Sequence, residues 1–180
     1  GHVRILDLSE NGWSQFTRDI NGEAAGDQSG YYGTSISADG NRVAIGAHLN
    51  DGNGPDSGHV RVYDISGPRE IQLGQDIDGE TPFDHSGYSL SLSADGNRVA
   101  IGAHQNDGNG GYSGHVRIYE LSGNTWIQLG QDINGEALDD WSGYRVSLSG
   151  NGNRVAIGAH LNDRNGFDAG HVRVYQLSGN

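Results

Sequence analysis

Apolar and polar residues alternate along four short stretches of each segment of about 56 residues. In the second segment these stretches are His59–Ile65, Glu70–Ile77, Tyr88–Ser93 and Arg98–Ala103. In the third of them, tyrosine and leucine fall on one face and serine on the other. A period of two is typical of half-buried β-strands, and no stretch carries the period of an amphipathic helix. The pattern therefore predicts four strands per segment and an all-β fold.

Identical sequence blocks recur at a fixed spacing. Gly-His-Val-Arg occurs four times and Asn-Arg-Val-Ala-Ile-Gly-Ala-His three times, at offsets of 56 or 57 residues, which indicates tandem structural units. The first unit is one residue longer, and matching the copies places the extra residue near Tyr31 and Tyr32, where we expect a β-bulge. The predicted divisions are repeat 1 (1–57), repeat 2 (58–113), repeat 3 (114–169) and a partial repeat 4 (170–180) that holds a single strand.

Turn-forming residues separate the predicted strands. Ala94–Asn97 is typical of a tight hairpin, Asn106–Ser113 of a longer loop, and Ser122–Asn124 of a third turn. Strands joined in this way form a four-stranded antiparallel meander. One such sheet cannot bury both faces alone, and radial packing of several gives β-propeller-type blades. The alternative is a β-solenoid, whose rungs pair in parallel; the tight hairpins favour the propeller.

The composition narrows the range of partners. The net charge is -12 and all 11 basic residues are arginine, so an acidic surface disfavours nucleic acid as a partner. No apolar run approaches the roughly 18 residues that cross a bilayer, and we expect no membrane insertion. The chain has no cysteine, which excludes disulfides and thiolate metal sites.

Three motifs resemble those of a known family. Ser86–Leu92, Val99–Ala103 and Gly114–Tyr119 are similar to the Phe-Gly-x-Ser-Val, Val-Gly-Ala-Pro and Gly-x-Val-Tyr-Val-Tyr motifs of the FG-GAP repeat, the blade of the integrin α-subunit propeller. The resemblance extends over essentially the whole chain. It implies a propeller, a location outside the cell or at the cell surface, and a role in adhesion or ligand binding.

The chain departs from the family pattern at three places. Ser-Gly replaces Phe-Gly, and histidine replaces the proline after Gly-Ala. The calcium loop that the family carries between its first two strands is absent, because Ser93–Gly96 stands there instead. Calcium binding is therefore not carried over to that hairpin.

Acidic and amide side chains recur elsewhere in quartets with one spacing. Carboxylates that alternate around a glycine can supply the oxygen ligands that calcium prefers, so calcium is the candidate cofactor. The bland interpretation is an Asn-Gly or Asp-Gly turn with solvated acids. The candidate metal ligands are Asp19, Asn21, Glu23 and Asp27, then Asp76, Asp78, Glu80 and Asp84, and then Asp132, Asn134, Glu136 and Asp140.

Histidine and tryptophan also recur at repeat positions. Three histidine pairs flank the loop between two strands and are candidates either for zinc or copper ligands or for structural hydrogen bonding. Trp13 and Trp126 occupy matching places and are expected to pack at the edge of the outer strand. The histidine pairs are His48 with His59, His104 with His115, and His160 with His171.

The sequence favours a non-enzymatic function. It contains neither Gly-x-Ser-x-Gly nor His-Glu-x-x-His, and no candidate nucleophile breaks the repeat symmetry.

Three blades and one further strand fall short of the roughly four to eight blades that close a propeller, so we expect association with other copies or with further blades of a longer chain. The predicted function is an extracellular structural or adhesion module with a protein or glycan ligand. A carbohydrate-binding lectin is the alternative, and an enzyme is the third possibility.

Overall fold

Antiparallel strand pairs follow one another along the chain in the computed structural model, which describes residues 1–177. The strand segments are β1 His2–Val3, β2 Leu6–Ser9, β3 Gly12–Gln15, β4 Ile20–Asn21, β5 Thr34–Ile36, β6 Arg42–Ala47, β7 His59–Asp64, β8 Ile71–Gln72, β9 Ile77–Asp78, β10 Ser89–Leu92, β11 Arg98–Ala103, β12 His115–Ser122, β13 Thr125–Gln128, β14 Ile133–Asn134, β15 Ser142–Leu148, β16 Arg154–Ala159 and β17 His171–Gln176.

These segments form three successive sheets. Sheet I contains β5 to β9, sheet II contains β10 to β14, and sheet III contains β15 to β17; β1 pairs with β4, and β2 with β3. Every pairing between these strands is antiparallel. Sheets I and II are the predicted four-stranded meanders, and the chain has an all-β fold of propeller-type blades rather than the parallel rungs of a solenoid.

The fourth strand of each meander is interrupted, which the alternating pattern did not indicate. The predicted strand Glu70–Ile77 is wrong as one element, because the structure divides it into β8 and β9. Both segments pair with β7, but β7 advances by two residues between its two partners while the outer strand uses four. Gly74, at φ +73°, turns the backbone within this bulge. Two further fourth strands are divided in the same way, into β3 and β4 and into β13 and β14, and residues 1–177 contain 17 strand segments.

Sheets I, II and III stack face to face, and the core lies between them. Val60 and Val62 of sheet I pack with Leu90 and Val99 of sheet II in one apolar cluster. An equivalent cluster joins sheets II and III. The second strand of each sheet has the sequence Arg-Val-Ala-Ile-Gly-Ala, and its small residues allow the neighbouring backbone to approach closely.

Hydrogen bonds across the stack fix the alignment of neighbouring sheets. The hydroxyl of Ser35 accepts a hydrogen bond from the backbone N–H of Leu92 at 3.0 Å, and Ser91 does the same for Leu148 at 3.0 Å. Serine on the polar face of the alternating pattern therefore bonds the next sheet instead of facing solvent.

The additional residue of repeat 1 lies in a turn. Thr34–Ile36 pairs with the second strand in unbroken register, so no bulge is present there and that prediction is wrong. Tyr31 lies before β5 and donates its N–H to the carbonyl of Gln28 at 3.0 Å. A turn accommodates an insertion without disturbing a ladder of backbone hydrogen bonds, whereas a strand must bulge.

The predicted repeats begin at the third strand of a sheet, so each contributes strands to two neighbouring sheets. The partial repeat at 170–180 contains β17, and its residues 178–180 lie outside the described residues. Within residues 1–177, no helix has the length and apolar character needed to cross a membrane.

Candidate functional site

Each acidic quartet occupies the connection from the fourth strand of one sheet to the first strand of the next. In the second quartet, Asp76 precedes β9, Asp78 ends it, and Glu80 and Asp84 follow in the connection to β10. Asp84 is only 1% exposed, and its carboxylate accepts hydrogen bonds from the N–H and the hydroxyl of Thr81, at 3.0 and 2.7 Å. This carboxylate therefore closes its own turn, and it is buried, whereas the bland interpretation of the quartets expected solvated acids.

The last acid of every quartet also holds the loop between the second and third strands. Asp84 accepts a hydrogen bond from the side-chain amide of Asn106 at 3.1 Å. The equivalent pairs, both at 2.9 Å, are Asn50 with Asp27 and Asn162 with Asp140. All of these side chains are buried, so they join two loops and form part of the scaffold.

The first acid of each quartet bonds within its own sheet. Asp19 accepts a bidentate pair from the Arg4 guanidinium at 2.8 and 2.9 Å, and this contact lowers the pKa of Asp19 to about 2. Asp76 accepts from the amide of Gln72 at 2.6 Å, and Asp132 takes the equivalent bond at 2.7 Å. The second members, Asn21, Asp78 and Asn134, lie at the ends of their short strands.

The structure groups acids from different quartets around a histidine that starts a third strand. The Nδ1 atom of His59 lies 3.9 Å from Glu23 and 3.8 Å from Asp76, which belong to the first and second quartets. The ligand atoms of this trio lie within 4.8 Å of one another. The same arrangement, again within 4.8 Å, unites Glu80, His115 and Asp132. We call these two trios the Glu-His-Asp groups.

An arginine joins each glutamate to the neighbouring sheet. Arg61 approaches the Glu23 carboxylate to 3.3 Å through Nη1, and its Nη2 donates to the carbonyl of Asn21 at 3.0 Å. In the same way, Arg117 approaches the Glu80 carboxylate to 3.4 Å through Nη1, and its Nη2 donates to the carbonyl of Asp78 at 2.7 Å. The third copy, at Glu136 and Arg173, keeps a 3.2 Å contact. Glutamate and arginine thus form a repeated ionic link between sheets.

Burial sets the protonation of the histidines in these groups. His59 and His115 are each 1% exposed. Desolvation lowers the pKa of His59 and lowers that of His115 to about 4, so both imidazoles are neutral at neutral pH. A neutral imidazole with two carboxylates is a donor set that suits zinc better than calcium, which prefers a shell of oxygens.

The hairpin between the first and second strands does not fit calcium. The carboxylate of Asp95 accepts hydrogen bonds from the Ser93 hydroxyl at 2.6 Å and from the N–H and side-chain amide of Asn97 at 3.0 and 2.8 Å. The Ser93 bond, with those from Asn97, lowers the pKa of Asp95. Both oxygens serve the turn, which agrees with the departure from the family motif.

The histidine pairs predicted from the sequence divide between two environments. His59, His115 and His171 face glutamates, whereas His48, His104 and His160 stack with tyrosines. His104 lies 4.2 Å from the Tyr88 ring, and His160 lies 4.2 Å from that of Tyr144. We call the second set, with Tyr32, Tyr88 and Tyr144, the ring row. The two histidines of a pair have different surroundings because they lie at opposite ends of the loop between the second and third strands.

Because His48 and His104 of the ring row are buried, we expect the free energy of unfolding to decrease at acidic pH. Burial lowers the pKa of His104 to about 3 and that of His48 to about 4, from the ordinary value of 6.5. Between pH 6.5 and 4 the unfolded chain therefore binds protons that the folded chain excludes, and stability falls as the pH falls, on the order of 1 kcal/mol per pH unit. Urea unfolding at pH 7, 6 and 5 measures this loss, and a His104→Phe variant should show a shallower slope. Equal urea midpoints at all three pH values would show that the imidazoles protonate freely in the folded state.

Comparison with known proteins agrees with this architecture. Antiparallel four-stranded sheets stacked face to face define a β-propeller-type protein. Residues 23–63, from Glu23 into β7, match the family model described as the FG-GAP repeat. The resemblance recognised in the sequence motifs is confirmed there. FG-GAP repeats occur in extracellular proteins.

Two solved structures show the same fold. Hydrazine synthase from Kuenenia stuttgartiensis is 15% identical with a TM-score of 0.50, over 80% of this chain and 33% of that chain. A candidate 6-phosphogluconolactonase from Bacteroides uniformis is 16% identical with a TM-score of 0.53, over 99% of this chain and 52% of that chain. The chain therefore spans between a third and about half of these relatives. No curated protein matches the sequence.

Proposed function

We propose that the chain is a non-enzymatic, extracellular structural or adhesion module whose blades associate with further β-sheets, either of other copies or of a longer assembly. One comparison supports this proposal. The second residue of the third strand is a valine in every sheet. It is 0% exposed in sheet I (Val60) and in sheet II (Val116) but 69% exposed in sheet III (Val172). The valine two residues further along the strand shows the same difference, since Val62 of sheet I is 1% exposed and Val174 of sheet III is 66% exposed. Within residues 1–177, sheet III thus presents a core face without a sheet upon it.

Polar groups on that face are also those used between sheets. Arg42 of sheet I donates to Asn97 of sheet II, and Arg98 of sheet II donates to Asn153 of sheet III. Arg154 is the next member of this series and is exposed. A surface that offers both the apolar and the polar contacts of an internal interface is suited to a further blade, and near-identical repeats make another copy of the chain a fitting one.

Native mass measurements test the association. We expect the mass, measured by light scattering, to rise with protein concentration. A Val172→Glu variant should remain monomeric because it buries an unpaired charge at the contact. The matched control is Ile71→Glu, which replaces another exposed apolar side chain, on the outer strand of sheet I, and should associate like the unmodified chain. A folded chain that stays monomeric at every concentration would contradict self-assembly.

We also propose that a divalent cation stiffens the stack at the Glu-His-Asp groups. Calcium was the candidate from sequence, but the imidazole in each group favours zinc. Zinc should raise the melting temperature, and a chelator should reverse that increase. Calcium should raise the melting temperature less than zinc does. His115→Asn should reduce the zinc effect, whereas His171→Asn should preserve it, because His171 approaches Glu136 outside the two groups. The cation proposal fails if neither ion changes the melting temperature.

A further inference from the structure

One position in the connection that leads to each sheet carries a different residue in every repeat. It is Gln28 before sheet I, His85 before sheet II and Trp141 before sheet III. The surrounding sequence is Asp-x-Ser-Gly in all three copies, and the backbone φ at this position is +53°, +55° and +54° in turn. The repeat therefore keeps the backbone here and changes only the side chain, so this position distinguishes one interface between sheets from the next.

The side chain at this position lies among the histidines of the ring row. The ring centroid of His85 lies 5.8 Å from that of His48 and 5.8 Å from that of His104. Trp141 takes the equivalent place at the following interface, 5.1 Å from His104 and 5.7 Å from His160. Three imidazoles therefore meet between sheets I and II, whereas an indole separates two imidazoles between sheets II and III.

The spacing of these imidazoles suits a shared metal ion. Nitrogen–zinc bonds of roughly 2.0–2.1 Å, at a bond angle near or above the tetrahedral one, hold two ring centroids about 5–6 Å apart. The separation of 5.8 Å between His85 and His104 falls in this range. Imidazole nitrogen is a ligand that zinc and copper both accept. Tryptophan cannot replace it, because the indole nitrogen only donates a hydrogen bond.

His104 holds a nitrogen that the fold leaves without a partner. The side chain is 2% exposed, and among the described residues its Nδ1 atom is buried with no hydrogen bond. Buried polar atoms normally have a partner, so this one points to a missing ligand. Burial also lowers the pKa of His48, His85 and His104. The rings are therefore neutral at neutral pH, and a cation displaces no proton from them.

Carboxylates beside His85 favour a positive charge at this place. The N–H of His85 donates to the backbone carbonyl of Asp56 at 3.2 Å, and Asp84 precedes His85 in the sequence. Desolvation lowers the pKa of His85, and the charges of these two carboxylates oppose that decrease. His85 is also partly exposed, whereas His48 and His104 are buried. A cation can therefore approach the three rings from the solvent beside His85.

We propose that His85 and His104 bind a divalent transition-metal cation such as zinc at the interface between sheets I and II. His48 lies on the other side of His85 and lines the site. The site is separate from the Glu-His-Asp groups, because His104 and His115 lie at opposite ends of one loop. It goes beyond the proposed structural role, since it gives one interface a metal link that the indole of Trp141 prevents at the next.

A zinc titration of the full chain at neutral pH tests the site ring by ring. Long-range proton–nitrogen NMR spectra report each imidazole nitrogen, and single histidine variants assign the signals. We expect zinc chloride to shift the nitrogen signals of His85 and His104 saturably. The signals of His59 and His115 report the Glu-His-Asp groups in the same spectra, so either site can fail without the other. Unchanged His85 and His104 signals at a large excess of zinc would overturn the inference.

A His85→Gln variant removes one ligand without changing the backbone that presents it. Glutamine is compatible with this position, because Gln28 adopts the same conformation there. Zinc should bind to the remaining His104 at least roughly tenfold more weakly, since even indirect changes around a metal ligand cost about that much. Circular dichroism confirms that the variant folds. A zinc response of the His104 signal that persists unchanged in this variant would contradict the assignment of His85.

A Trp141→His variant tests the same geometry by gain of binding, which a misfolded chain would not show. The new imidazole would lie beside His160 as His85 lies beside His104, because Trp141 already contacts that ring. Isothermal titration calorimetry should detect one additional bound zinc ion. Trp141→Gln is the matched control, since it removes the indole without supplying an imidazole, and it should bind no additional zinc. Equal zinc binding by the two variants would show that this position does not create a site.

Discussion

A Gly102→Ala variant is expected to lose at least about 3 kcal/mol of unfolding free energy, at or beyond the upper end of ordinary overpacking. Gly102 lies in β11, and a Cβ atom added there would stand 2.1 Å from the carbonyl oxygen of Gly143. That oxygen belongs to the backbone of the next sheet and cannot rotate away. The two sheets must separate to admit a methyl group, which would remove contacts along their whole interface.

Gly158 provides an internal control for this substitution. It occupies the same place in the identical sequence Arg-Val-Ala-Ile-Gly-Ala, but an added Cβ there would lie 3.7 Å from its nearest neighbours, both atoms of Arg145. Gly158→Ala should be neutral or should stabilise by up to about 1 kcal/mol, because alanine restricts the unfolded chain. Urea unfolding of both variants measures the difference. Similar losses at the two positions would show that the strand itself requires glycine and that close sheet packing is not the cause.

The contrast between these glycines marks the limit of what the sequence predicts. The octapeptide around each of them indicates a buried strand, and all three copies form one. Whether its glycine touches a neighbouring sheet depends on what is stacked upon it, which no local pattern records. The fold class and the meander were therefore predictable from periodicity and turns, whereas the split fourth strand was not, because its bulge depends on pairing with a distant strand.

The candidate metal ligands show the same limit. The quartets have a regular spacing in sequence, and we expected each to act as one unit. The structure instead brings Glu23 and Asp76 together at His59, three residues that come from three different segments. The third acid of one quartet and the first acid of the next are 53 positions apart in this group, close to one repeat length. Combining the repeat offset with the stacking of blades, rather than reading neighbours along the chain, is the signal that would have identified the groups.

Replacing Trp126 with alanine is expected to destabilise the chain by about 3–5 kcal/mol, the usual cost of removing a buried aromatic side chain. Trp126 belongs to the cluster between sheets I and II, where it packs with Val62 and Ile77. Its loss would leave a cavity and would also leave the carbonyl of Leu73 without its indole donor. Because the indole bridges two sheets, the loss should affect the cooperativity of unfolding as well as its midpoint.

Trp13 is the matched control, because it also follows an asparagine by two residues and pairs across its hairpin with a leucine, as Trp126 does. It is 68% exposed, and Trp13→Ala should change the unfolding free energy by no more than about 0.5 kcal/mol. Urea unfolding followed by circular dichroism reports both variants without relying on tryptophan fluorescence. Equal effects would mean that stability comes from the hairpins themselves. A large effect for Trp126 alone would show that packing between neighbouring sheets stabilises the chain, so that each interface along the stack adds to its stability.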